Sequence, residues 1–153
     1  MNQDFTYLLR VRYLECDAQK VVFNGRYADY VDIALGEYMR ALWGDYANII
    51  EQGVDFQVVS LTINWKGPAQ FDHILAVQVR SGRIGNTSFT AQCDFYNYKT
   101  KQPVASAEIT YVMVSATEFT KIPIPDDMRA KIEKGAPGVV VDHAGANVGQ
   151  ASN

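Results

Sequence analysis

Between Asp17 and Tyr27 the chain reads D-A-Q-K-V-V-F-N-G-R-Y. Asn24 is a residue type that caps helices, and the apolar spacing that follows it is helical. A helix start exposes unpaired backbone N–H groups and the positive end of the helix dipole. Such groups polarise an acyl carbonyl and hold the oxyanion that develops on it. A carboxylate a few residues upstream, here Asp17, can attack the carbonyl carbon or activate water. The same residues also have a purely structural reading. Aspartate is common in loops, and Asn24 caps a helix whether or not chemistry happens there. The segment by itself leaves both readings open.

Other chemistry-bearing residues are more readily structural. Asp29 and Asp32 lie three apart and share a helix face, as solvated or interface charges rather than an acid–base pair. His73 opens a strand beside Asp72, and His143 lies in a glycine-rich tail. Ser60 has no G-x-S-x-G context, so a serine-hydrolase reading fails. Cys16 and Cys93 show no C-x-x-C or Cys/His spacing, so no metal site is expected. Tyr27, Tyr30, Trp43, Phe56 and Trp65 read first as core or interface aromatics, some of which can line an acyl channel.

The elements that must position Asp17 follow from periodicity. Phe5, Tyr7, Leu9, Val11 and Tyr13 alternate along one face, with Arg10 and Arg12 on the other, and predict a strand over residues 5–14. Tyr27, Tyr30, Val31, Ala34, Tyr38, Ala41 and Leu42 predict a helix over 25–43, closed by Gly44, and a short second helix covers 45–52. The period then changes to two. Val59, Leu61, Ile63 and Trp65 form one face of a strand, and Leu75, Val77 and Val79 of another. Gly85-Asn86 marks a tight hairpin, Phe89 to Phe95 alternate again, and a last strand spans about 104–115. The order β–α–β–β–β–β predicts an α+β fold, a five-stranded antiparallel sheet around one long helix. A domain over 1–134 is followed by a tail over 135–153 that holds Gly135, Gly138, Gly145 and Gly149. There, the apolar Val139-Val140-Val141 is expected to pack on its own or a neighbouring subunit.

The formal charge of −3 and a pI of about 5.3 argue against a nucleic-acid partner. Met1 to Tyr13 lack a signal-peptide core, and no apolar run approaches the roughly 18 residues of a membrane span. A cytoplasmic protein with no membrane insertion and no cofactor is expected, and the free thiols fit a reducing compartment.

Asp17, Val21-Val22, Asn24, Tyr27 and Asp32 together resemble the signature of the 4-hydroxybenzoyl-CoA thioesterase family. V-V-S-L-T-I-N-W-K-G-P-A resembles the family's second strand, and residues 5–115 fit its element order. One departure is Lys20, where many members carry glycine before the hydrophobic pair. The resemblance implies a hot-dog fold, in which the sheet wraps around the helix. It implies homodimers or homotetramers with active sites at subunit interfaces, and an acyl-CoA as substrate. Asp17 would be the catalytic carboxylate and the helix start at Asn24 and Gly25 the oxyanion site. Phe23, Tyr27, Ser60 and Thr62 would be substrate contacts, Ser60 and Thr62 across the interface. Lys66, Arg80, Arg83, Lys99 and Lys101 are candidates for the CoA phosphates. Two alternatives stand beside hydrolysis. Hot-dog hydratases and dehydratases use a catalytic histidine, and none precedes Asp72 here. A non-hydrolytic binder of acyl-CoA or acyl-carrier protein would need no nucleophile.

Overall fold

A computed structural model describes residues 3–146. Its elements run β1 (Phe5–Arg10), a 3₁₀ turn (Tyr13–Glu15), α1 (Arg26–Trp43), α2 (Tyr46–Glu51), β2 (Val54–Trp65), β3 (Ile74–Ile84), β4 (Ser88–Asn97), β5 (Pro103–Ser115), α3 (Asp126–Lys134) and β6 (Val140–Asp142). The sheet order is β2-β5-β4-β3-β1-β6.

The helix predicted from the 3.6-residue stripe is α1. Tyr27, Tyr30, Val31, Ala34, Leu35 and Tyr38 are buried, and they meet Phe5, Val77, Phe89, Phe95 and Met113 from four strands in one core. Tyr38 sits 5.4 Å from Phe5 and Tyr27 5.7 Å from Phe95, ring centroid to ring centroid. Gly44 ends α1 at φ +79°, a conformation that favours glycine. Antiparallel pairing joins β1 to β3, β3 to β4, β4 to β5 and β5 to β2.

Three expectations need correction. The sheet has six strands, not five, and it is mixed. Residues 140–142 pair in parallel with Thr6, Tyr7 and Leu8 of β1. Thr6 N–H donates to Val139 and His143 N–H to Leu8, so the tail sequence packs on its own chain. Glycine content hid this, because the strand is too short to show a period. Second, Tyr13 does not continue the apolar face of β1. The chain turns into the 3₁₀ helix there, and Tyr13 is 82% exposed. Third, Asn24 does not cap α1 with its side chain. Gly25 is the N-cap, already in the α region at φ −66°, ψ −20°, and no side chain caps the helix.

The two sheet edges differ. β6 covers the outer edge of β1, while the other outer edge, along the twelve residues of β2, has no pairing strand among the described residues. Val59 and Trp65, on the apolar face read from the alternation, are 58% and 50% exposed; Val58 and Leu61 are exposed too. The register shifts between Val58 and Ser60, and residues 57–62 are exposed on both faces of the strand.

A chain ending at Gly138 should still fold, because α1 and five strands remain. It loses the β6 hydrogen bonds at roughly 1 kcal/mol each, so urea unfolding should show a loss of about 2–4 kcal/mol. The Thr6 amide should exchange much faster with solvent than in the full chain. Unchanged Thr6 exchange would show that β6 does not protect this edge.

Candidate active site

Asp17 sits on a small hairpin between β1 and α1. Cys16 bridges Val22, Asp17 N–H donates to the Val21 carbonyl over 2.9 Å, and Lys20 N–H donates to the Asp17 carbonyl over 2.9 Å. The turn closes because Lys20 adopts φ +63° and because Asp17 Oδ1 accepts the Gln19 N–H at 2.8 Å. Asp17 Oδ2 has no hydrogen-bond partner among the described residues. The carboxylate borders an open concavity of about 450 Å³, lined also by Tyr13, Cys16, Ala18, Lys20 and Phe71. Tyr13 packs edge-on against Phe71 at 6.0 Å, so an exposed aromatic wall stands beside the carboxylate.

The second arm of the hairpin leads straight into α1. Val22 N–H donates to Ala69 and Phe23 N–H to Glu15. The first turn of the helix is tight. Arg26, Tyr27 and Ala28 donate to the carbonyls of Phe23, Asn24 and Gly25, at 2.9, 3.3 and 3.3 Å. These bonds occupy the N–H groups that a helix start was expected to leave free. Between Phe23 and Ala28, the backbone N–H groups without a partner are instead those of Asn24 and Gly25, both exposed. A Cβ on Gly25 would lie 3.1 Å from the Phe23 ring, so glycine allows that ring to lie close to this backbone.

The other predicted contacts separate. Phe23 is exposed beside the free N–H groups. Tyr27 is only 2% exposed and packs edge-on against Tyr30, Trp65 and Phe95, and burial pushes its hydroxyl up to about 12. Ser60 and Thr62 are exposed on the open edge strand and do not line the Asp17 concavity. Asp29 pairs with Arg26 at 3.3 Å, and Asp32 borders a separate groove with Gly36, Arg40 and Tyr46. His73 Nδ1 accepts the Gln70 N–H at 3.1 Å, and His143 meets the Tyr7 hydroxyl at 3.1 Å. Neither histidine lines the Asp17 concavity. Arg80 is taken by Asp94 at 2.8 Å and Asp4 at 3.7 Å, and the Lys101 ammonium lies 4.2 Å above the Tyr98 ring. Among the described residues no group of His, Cys, Asp and Glu is placed to hold a metal.

The sequence reading passed over Glu15. Its side chain is 4% exposed, and its two oxygens accept the Arg12 backbone N–H, both ends of the Arg12 guanidinium fork and the Tyr30 hydroxyl. Burial pushes this carboxyl upward, but the bonds from Arg12 and Tyr30 outweigh it and hold it below the usual range. Burial and the bond to Glu15 push the Tyr30 hydroxyl up. One signal was present in the sequence: Arg12 and Glu15 stand three apart, and R-x-x-E closes a tight turn.

A sequence profile of the thioesterase superfamily matches residues 19–104. The chain belongs to that superfamily. It is a thioester hydrolase with a hot-dog fold. A putative esterase of Aquifex aeolicus is 26% identical over 119 residues, which are 78% of this chain and 91% of that one. Acyl-CoA thioesterase YbgC of Haemophilus influenzae is 29% identical over 85 residues, 55% of this chain and 62% of that relative. The crystal structure of Slr0204, a 1,4-dihydroxy-2-naphthoyl-CoA thioesterase from Synechocystis, superposes with a TM-score of 0.75 at 22% identity, over 84% of this chain and 94% of that one. That last likeness concerns the fold. Asp17 lies two residues before the span that the profile matches. No helix of this thioesterase, among the described residues, is long and apolar enough to cross a membrane.

Lys20, the departure from the family's glycine, occupies the one left-handed position of the hairpin. That conformation costs an L-residue about 1–2 kcal/mol, and glycine gives back about 0.5–1 kcal/mol in chain entropy. Lys20→Gly should therefore raise stability by about 0.5–1 kcal/mol in urea unfolding, and Lys20→Val should lower it. A less stable Lys20→Gly would refute the turn geometry.

Proposed function

We propose that this thioesterase hydrolyses an acyl-CoA, with Asp17 as nucleophile or general base and the N–H groups of Asn24 and Gly25 holding the carbonyl oxygen. One observation carries the reading. A half-exposed carboxylate stands on one arm of a hairpin whose other arm runs directly into two unpartnered backbone donors, beside an open concavity. In the nucleophilic route the Asp17 oxygen bonds the acyl carbon and the C–S bond breaks. CoA leaves as a thiolate that takes a proton, and water then cleaves the anhydride. In the general-base route Asp17 takes a proton from water as the water adds to the same carbon, and the C–S bond breaks as the tetrahedral intermediate collapses. Donors fixed before the reaction stabilise the oxyanion in either route, at no cost of reorganisation. The activities of the Haemophilus and Synechocystis relatives support an acyl-CoA as the thioester. Phe71 and Tyr13 offer the acyl group an aromatic wall. The free thiols of Cys16 and Cys93 fit work in a reducing cytoplasm.

We further infer that β2 is where two copies meet. A long unpaired edge bearing Val58, Val59, Leu61 and Trp65 on the surface invites pairing with another strand. A symmetric partner would satisfy it and would bring Ser60 and Thr62 to a neighbouring Asp17 hairpin. The chain should sediment as a dimer or larger at micromolar concentration, and Val59→Lys should shift it toward monomer. A parent chain that sediments as a stable monomer would overturn this.

Asp17→Asn keeps size and can keep the Gln19 contact but removes the charge. On a panel of benzoyl-CoA, hexanoyl-CoA and palmitoyl-CoA it should lower kcat/KM by about 10²–10⁴-fold on the best substrate, with unfolding little changed. Asp32→Asn, which removes a carboxylate outside the concavity, should stay within a few-fold of the parent. Near-parental turnover by Asp17→Asn would end the proposal.

A further inference from the structure

Glu15 is a carboxylate buried in a loop two residues before Asp17, where nothing in the reaction requires one. It does not line the concavity, and both its oxygens are occupied. Oε1 accepts the Arg12 N–H at 2.8 Å and the Tyr30 hydroxyl at 2.9 Å, and Oε2 accepts Arg12 Nη2 at 2.7 Å and Nε at 3.1 Å. The backbone of Glu15 is used as well. Its N–H donates to the Arg12 carbonyl at 3.0 Å, and its carbonyl accepts the Phe23 N–H at 2.9 Å. One residue thus touches three pieces. These are the turn that leads into Asp17, the residue just before the free donors of Asn24 and Gly25, and, through Tyr30, the core face of α1.

A buried ion pair is poor value for stability, since apolar residues of similar volume often do as well. Hydrogen bonds from fixed partners do something apolar contacts do not, which is to define direction. Tyr30 itself is anchored in the core edge-on to Tyr27 at 5.8 Å, so the point from which its hydroxyl reaches Glu15 is rigid. Arg12, by contrast, is mostly exposed and closes the outer side of the turn.

We propose that Glu15 is a positioning residue: held by Arg12 and by the Tyr30 hydroxyl, it fixes the Asp17 hairpin against the start of α1 and so sets where the Asp17 carboxylate stands relative to the N–H groups of Asn24 and Gly25. This rests on the catalytic reading of Asp17 given above. A shift of about 1 Å between reacting groups can cost about 10²-fold in rate. Loosening this clamp therefore acts on kcat, while the surface that holds the rest of the substrate is unchanged.

Tyr30→Phe cuts the link to α1 and keeps the ring packing, and Glu15→Gln keeps the size and removes the charge. Each is measured for kcat and KM separately on whichever of benzoyl-CoA, hexanoyl-CoA and palmitoyl-CoA the parent hydrolyses fastest, alone and combined with Asp17→Asn. The expected result is a fall in kcat of tenfold or more with KM within about threefold. In the Asp17→Asn background the same substitutions should change the residual rate less than twofold. Tyr46→Phe removes a similar tyrosine-to-carboxylate bond, to Asp55, far along the chain and should leave kcat unchanged. Should Tyr30→Phe not fold, Arg12→Gln on its exposed side chain is held to the same two criteria. Parental kcat in Tyr30→Phe and Glu15→Gln, or an equal loss with and without the Asp17 carboxylate, overturns the positioning role. Asp17→Asn measured alone separates the two claims. If it keeps parental turnover, the catalytic reading falls and the positioning role with it; if it collapses while Tyr30→Phe does not, only the positioning role falls.

Discussion

The burial of one stripe of α1 against the sheet is the constraint on which the rest depends. Tyr27, Tyr30, Val31, Ala34, Leu35 and Tyr38 are buried along a helix of eighteen residues, and a fully buried large apolar side chain contributes about 1.5–3 kcal/mol. Among the described residues no other helix has a comparable stripe, since α2 has six residues and α3 nine. With the axis of α1 set by that packing, the position of its first turn is also set. The backbone at Asn24 and Gly25 is therefore placed by the buried residues of α1 and not by a side-chain cap.

The Asp17 hairpin has a smaller apolar anchor. Ala18, Gln19 and Lys20 are exposed, and Val22 reaches the core with Cys16 packed against it. Polar contacts add to this: the Cys16–Val22 bridge, the Asp17–Val21 bond, and the buried Glu15. A short exposed segment stays ordered when its backbone groups find hydrogen-bond partners. Asp17, Gln19, Lys20 and Val22 N–H all donate here, the last to Ala69 outside the hairpin, at the cost of a left-handed lysine.

The sheet's two edges receive opposite treatment. On one side three tail residues supply a parallel strand that closes β1, and Ala144 and Tyr98 pack in a small cluster around Leu8 and Ala76 beneath it. On the other, β2 keeps its apolar side chains in solvent. Soluble proteins usually blunt such an edge with charge, proline or a cover, and β2 carries only Asp55 near its start. The asymmetry sets this edge apart from the one that β6 covers.

Much of this was legible in the residues themselves. The helix over 25–43 and the alternating runs of β3, β4 and β5 followed from period alone, because each element buries one face and its pattern is local. The Asp17 segment stood out because residue type and spacing are local too. What tertiary structure decided was non-local. The identity of the free N–H groups depends on a tight first turn that satisfies Arg26, Tyr27 and Ala28, which no side-chain pattern encodes. Tyr13 left the apolar face of β1 because the Arg12–Glu15 clamp turns the chain, and Glu15 is clamped because Tyr30 reaches it from fifteen residues away. β6 exists because the edge of β1 was available to Val140–Asp142, a partner more than a hundred residues distant. Period and composition report what a residue prefers, whereas these features depend on which groups the fold brings within hydrogen-bond reach.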